Sequence, residues 1–248
     1  MLYFRLLPNS LEMTGLLKNI PVRKMRFLDR SSLPDLLRLQ AIIAENLPSP
    51  DIFVLHDEDF FREILSNSNS AIGLFAQNRL IAYSVLRIPV YSGKAMPDNL
   101  GKDVALPPED LLKVAHIQAI AVHPAFRGNG LQRALAQAHL KIAEDMGYYH
   151  ICCTVSPKNN ISLANMLSCG LKIEALVPKF QGWWRFMLHR DLRKENRYLD
   201  ARANDGEEQI AIPATDLESQ LNLLNMGFKG VKIVVQSDIA KVLYERDL

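Results

Sequence analysis

Arg127, Gly128, Asn129, Gly130 and Leu131 have the residue types and spacing to hold an anion. Two glycines one residue apart let a backbone turn tightly and point successive amides outward, and the helical pattern that follows adds the positive end of a dipole. That arrangement suits a pyrophosphate, although a plain strand-to-helix turn can carry the same letters. Two nucleotide loops fail on the residues. A G-x-x-x-x-G-K-[ST] loop needs a lysine and a hydroxyl where Leu131 and Gln132 stand, and G-x-G-x-x-G needs a glycine where Arg133 stands. Upstream, His116 and Gln118 are two residues apart and share one face of a strand. Histidine titrates near neutral pH, so His116 is the candidate general base, with a hydrogen-bonded structural histidine as the alternative. His123 reads as a turn-stabilising residue, and no Cys/His cluster has metal spacing.

The elements that must position these residues are legible on both sides. Residues 113–122 read as a buried strand, and 131–146 as a helix with Leu131, Ala134, Leu135, Ala138, Ile142 and Met146 on one face and Gly147 ending it. Before them the pattern predicts a strand near 25–28 and a helix to about Asn46, with Ser31 or Ser32 as cap and Pro34 in its first turn. That helix should bury Leu36, Leu37, Leu39, Ile42 and Ile43. A second helix from about Asp57 and a hairpin of 71–76 and 80–88 follow. The stretch 89–110, with Pro89, Gly93, Pro97, Gly101, Pro107 and Pro108, is a long loop and a candidate substrate lid. After the glycine turn come strand 149–155, a polar turn, a short helix 161–168 closed by Gly170, and strands 171–177 and 183–188. Trp183 and Trp184 point to opposite faces of the last strand, so one is expected in the core.

Composition sets the class. The 248 residues are 48% hydrophobic and 23% charged, an ordinary globular mixture, and Lys+Arg 29 against Asp+Glu 27 gives a net charge of +2. No bulk charge draws the chain to nucleic acid or to an anionic membrane. Three cysteines make no disulfide framework, so a reduced, cytoplasmic protein is expected. The apolar start M-L-Y-F-R-L-L-P-N-S is broken by Arg5 and Pro8, and no run approaches the ~18 to 20 apolar residues that span a bilayer. Residues 1–24 read as an N-terminal arm that packs on the body. Between 179–197 and 200–248 the net charge swings from +4 to −4, which places a boundary near 196–206. Beyond it, residues 200–248 read as a small α+β module of strand, helix, strand and strand, too small for its own core and so docked on the body or on a second subunit. Its L-L-N-M-G-F-K-G-V-K-I echoes L-A-N-M-L-S-C-G-L-K-I, as any helix, glycine, strand junction can.

The segment A-H-I-Q-A-I-A-V-H-P-A-F-R-G-N-G-L, residues 115–131, resembles the acyl-CoA signature [QR]-x-x-G-x-[GA] of the GNAT acyltransferase superfamily, with Arg127, Gly128 and Gly130 in place and Gln132 replacing the last small residue. Its first part looks like the corresponding strand of arylalkylamine N-acetyltransferases, which carry histidines at the places of His116 and Gln118. The resemblance covers about residues 25–190. It implies a mixed α/β fold with a central sheet flanked by helices and transfer of an acetyl group from acetyl-CoA to an amine, with a small-molecule acceptor expected. It further implies that the pantetheine arm pairs with the backbone of Ile120, Ala121 and Val122. The pyrophosphate would sit on the amides of Arg127, Gly128, Asn129, Gly130, Leu131 and Gln132, and Asn159 would meet the cofactor, cap its helix, or both. Met166 stands where the family often places a tyrosine acid, which leaves a non-catalytic acyl-CoA sensor or interaction module as the alternative. A homodimer is a possible assembly.

Overall fold

The structure, a computed structural model, describes residues 3–7, 10–14, 22–90, 98–194 and 209–246. The centre of the expected lid, 91–97, the segment 15–21 of the N-terminal arm and the boundary at 196–206 lie outside the described residues. The fold is mixed α/β, with mostly antiparallel strands flanked by helices, and it divides into two compact units.

The first unit comprises residues 1–87 and 117–142. Its strands are β1 (Tyr3–Leu7), β2 (Ser10–Thr14), β3 (Val22–Phe27), β4 (Ala71–Ala76), β5 (Arg79–Arg87) and the latter part of β6 (Val114–Val122), in that order. The arm is therefore strand in part: β1 and β2 form an antiparallel hairpin that runs onto β3. Gln77 and Asn78, at φ 49° and 62°, make the tight turn between β4 and β5, the conformation that a two-residue hairpin needs. Helix α1 (Leu33–Glu45) lays Leu36, Leu39 and Ile43 on a core shared with Phe61, Tyr83 and Ala121. Each such side chain contributes roughly 1.5–3 kcal/mol by leaving water, and Leu36→Ala would cost about 2–5 kcal/mol. Leu37 and Ile42 are only half-buried. The expected serine cap is replaced by a turn ahead of the helix. Asp29 accepts from the Ser31 amide at 2.9 Å, and the hydroxyl of Ser32, already helical at φ −82° and ψ −8°, accepts from the Asp29 amide. Helix α2 (Glu58–Ser66) starts on Asp57, whose carboxylate accepts from the Phe60 amide.

The second unit comprises residues 88–116 and 143–248. It holds the beginning of β6, then β7 (His150–Val155), β9 (Trp183–Asp191), β8 (Lys172–Lys179), β11 (Phe228–Gln236), β12 (Ile239–Arg246) and β10 (Ile210–Pro213), in that order. Two helices, α4 (Asn160–Ser168) and α5 (Leu217–Asn225), belong to it. The pair β6 and β7 is parallel, and the neighbours across β7, β9, β8, β11, β12 and β10 are antiparallel. Neither tryptophan enters the core: Trp183 is half-buried and Trp184 exposed, while the buried Arg185 guanidinium lies 5.4 Å from the Trp183 ring. No helix among the described residues is long and apolar enough to cross a membrane.

Candidate functional site

The glycine turn lies wholly in the first unit. A short 3₁₀ turn, Pro124–Phe126, leads into it, with the His123 ring accepting from the Ala125 amide at 3.2 Å. His123 thus holds the turn. The Arg127 Nε reaches back to the Val122 carbonyl at 3.4 Å, and the Asn129 carboxamide donates to the Phe126 and Arg127 carbonyls at 3.1 and 3.0 Å. Gly128 and Gly130 have φ of +79° and +71°, in the left-handed region that L side chains rarely adopt. A Cβ at either would meet nothing within 4 Å, so conformation rather than crowding requires glycine there. Helix α3 (Leu131–Asp145) begins at once, and the Ala134 amide donates to the Gly130 carbonyl at 3.0 Å. No acidic residue stands in its first turn. Leu131 is buried and anchors the helix start, whereas Arg127, Gly128 and Gly130 are exposed and Asn129 and Gln132 half-buried. The Arg127 amide is taken by the Pro124 carbonyl at 3.2 Å, but the exposed glycine turn and a helix N-terminus with no acidic residue in its first turn form a fit for the pyrophosphate of CoA. Met146, expected on the buried face of α3, is outside the helix and 43% exposed, because the helix closes at Asp145, where the Gly147 and Tyr148 amides fold back onto the Glu144 and Ala143 carbonyls.

Along β6 the burial alternates from Ile117 onward. Ala119 and Ala121 are buried, and Gln118, Ile120 and Val122 share the half-buried face. Within the second unit Val114, Ala115 and His116 register with β7, His116 opposite Cys152.

His116 belongs to the second unit, and the free base expected there meets a competing bond. The ring is 1% exposed, and its Nε2 accepts from the Leu100 amide at 3.1 Å. The lone pair that a base would use is already engaged, in favour of the structural alternative. The turn that holds it is itself fixed. Buried Asn99 accepts from the Gly101 amide at 2.9 Å and donates to the Leu111 carbonyl at 2.8 Å. Lys179 pairs with Asp103 at 2.8 Å. In the expected lid, 89–110, residues 99–103 are therefore tied down by side chains. The sequence showed a long loop there but no signal that Asn99 and Leu100 would hold His116.

Asn159 caps α4, its Oδ1 accepting from the Ser162 amide at 3.0 Å, which leaves the Nδ2 donor outside the cap. Met166 is buried in α4 at 2% exposure and fills core space. Cys152, Cys153 and Cys169 are all buried and free, and burial pushes the Cys153 thiol up to about 12, so it keeps its proton. Among the described residues no group of three His, Cys, Asp or Glu could hold a metal ion.

A search of curated proteins finds no match to this sequence. Solved structures show the fold. YncA of Salmonella typhimurium, solved with its cofactor acetyl-CoA, superposes with a TM-score of 0.51 at 16% identity, over 69% of this chain and 95% of that one. A GCN5-related N-acetyltransferase from Kribbella flavida superposes with a TM-score of 0.50 at 17% identity, over 68% and 97%. Ard1 from Thermoplasma volcanium gives 0.50 at 15% identity, over 68% and 97%. Residues 38–171, more than half of the chain, match the acetyltransferase (GNAT) family, so the protein belongs to that family, whose cofactor is acetyl-CoA.

Proposed function

We propose that this protein transfers an acetyl group from acetyl-CoA to the amine of a small molecule, in the cytoplasm, and that residues 25–195 form the transferase domain. The observation that carries the reading is the turn at 127–132. Its two left-handed glycines open directly onto α3, with no carboxylate in the first helical turn. Acetyl-CoA brings an activated thioester. The amides of Gly128 to Gln132 hold its pyrophosphate, the Arg127 amide being taken by the Pro124 carbonyl at 3.2 Å. The backbone of Ile120, Ala121 and Val122 offers pairing groups to the pantetheine arm. Asn159 supplies its Nδ2 to the cofactor while its Oδ1 keeps the helix cap.

When bound, acetyl-CoA would supply the thioester carbonyl for attack by the acceptor nitrogen; the C–S bond would break, with water taking the nitrogen's proton and water protonating the thiolate. With Met166 at the family's tyrosine position, no side chain is assigned as acid. Gln118, half-buried on the face of β6 that also carries His116, orients the amine or the water that accepts its proton. His116 acts as a positioning residue that fixes the Asn99–Gly101 turn against β6. Met166 also favours the second reading, an acyl-CoA sensor without turnover. Following free CoA thiol with a panel of amines separates the two: thiol release matched by acetylated amine supports the transferase, and CoA binding with no turnover supports the sensor.

A further inference from the structure

Helix α4 with its flanking strands and helix α5 with its flanking strands share more than a sequence echo. Asn159 and Asp216 each cap their helix by accepting from the amide three residues on, at Ser162 and Ser219. At the other end Cys169 and Met226 close the helices on the carbonyls of Asn165 and Asn222. Gly170 and Gly227 follow, both at φ 85°. Leu171 and Phe228 are buried next, and then come Lys172 and Lys229. Each following strand carries a register shift at the same place, between Ile173 and Ala175 in β8 and between Gly230 and Lys232 in β11.

Both strands then turn back through residues of positive φ, Phe180, Gln181 and Gly182 in one and Ser237 and Asp238 in the other, which is one residue shorter. The pairings also agree. Ile173 faces Leu188, which faces Cys153; Gly230 faces Tyr244, which faces Ile210. All these pairs keep one constant separation in the chain, shortened by one residue after the hairpin turn. A helix, glycine, strand junction alone would not reproduce caps, bulge, turn and three-strand register together.

The strand order β7, β9, β8, β11, β12, β10 reads as the same set forward and then reversed. Its midpoint is the antiparallel pair of β8 and β11, where Ile173 faces Gly230, its own counterpart. A residue meeting its counterpart across antiparallel strands marks a local two-fold axis, the geometry of an isologous dimer interface. We propose that residues 210–246 are an internal second copy of residues 153–190 and act as this chain's own partner at the β8 edge, filling in cis the place of a second chain.

The side chains on the axis select the internal copy. A Cβ at Gly230 would lie 2.8 Å from the Ile173 Cδ1, 2.8 Å from the Val242 Cγ1 and 3.0 Å from the Ile173 Cβ. A second chain's β8 in the same place would bring an isoleucine against Ile173. The contact between Lys229 and Glu174, 3.0 Å, also has no mirror image, because the counterpart of Glu174 is Val231. The β8 edge, open without the tail, is thereby closed to other chains.

The test uses the full chain, with mass by analytical ultracentrifugation and backbone hydrogen exchange. The wild-type protein should sediment as one chain at all concentrations, with β8 and β11 amides protected. Gly230→Ala should speed exchange of β11 and β12 amides at least about tenfold, equivalent to about 1.4 kcal/mol. Ile173→Gly in the same chain removes two of the three close contacts and should restore most of that protection. Three results would overturn the proposal: a wild-type dimer whose β8 amides lose protection on dilution, unchanged tail exchange in Gly230→Ala, or no recovery in the double variant. The wild-type arm decides even if a variant does not fold.

Discussion

Gly130→Glu tests the cofactor site where conformation and charge separate cleanly. At φ +71° any L residue pays for the left-handed conformation, about 1–2 kcal/mol. Space costs nothing further, because a Cβ there meets no atom within 4 Å. Gly130→Ala therefore isolates the conformational part. The added carboxylate then faces pyrophosphate oxygens at an exposed turn. One pair of unit charges at 4 Å is worth about 1 kcal/mol in water and about 4 kcal/mol near a protein surface. With about 1.4 kcal/mol per tenfold, the alanine variant should bind CoA at most about thirtyfold more weakly. The glutamate variant should lose a further factor of about five to several hundred. Calorimetry at low and high salt gives the check, since the charge part shrinks as salt screens it while the conformational part stays. A folded Gly130→Glu protein with unchanged CoA affinity would place the pyrophosphate elsewhere.

His116→Ala should lower stability by about 1–3 kcal/mol, the cost of leaving the Leu100 amide unpaired, while the pH–rate profile of the folded fraction keeps its shape. A drop of about 100- to 10,000-fold in kcat at unchanged stability would make His116 the base instead. Acid should destabilise the first unit: burial lowers His139 to about 3 and His56 to about 4 from 6.5. Their stabilisation is complete above pH 6.5 and lost as pH falls toward those values, by up to about 1.4 kcal/mol per pH unit for each. Denaturant titrations that show no decline from pH 6.5 to 4 would contradict this. Deleting residues 200–248 should lower the melting temperature or solubility by exposing β8, yet protein that remains folded should bind CoA. A truncated chain that is stable but unable to bind CoA would move cofactor contacts into the tail.

Local pattern located most elements, because α2, α3, the β4–β5 hairpin and the tail elements are bounded by caps, glycines and polar turns that act over a few residues. The strands of residues 3–14 escaped, since Y-F-R-L-L and S-L-E-M-T gain their structure by pairing with each other and with β3. Ser32 looked like a cap, but Asp29 captured that role one turn earlier. The glycine turn was legible because positive φ leaves a mark in sequence. The tether on His116 was not: its donor, Leu100, is a backbone amide in an aperiodic loop, and any residue there could supply it. The letter echo between α4 and α5 matches Gly170 to Gly230, three residues out of step with the structural match of Gly170 to Gly227, so only caps and strand register reveal the repeat.

The central claim is acetyl transfer by a CoA site built on residues 127–132. Its most direct test incubates the protein with acetyl-CoA and a panel of small amines and short peptides, measuring free thiol and acetylated product together. Thiol release equal to acetylated small amine, lost in Gly130→Glu, is the expected result. Tight CoA binding without product from any amine would contradict the claim and leave an acyl-CoA sensor.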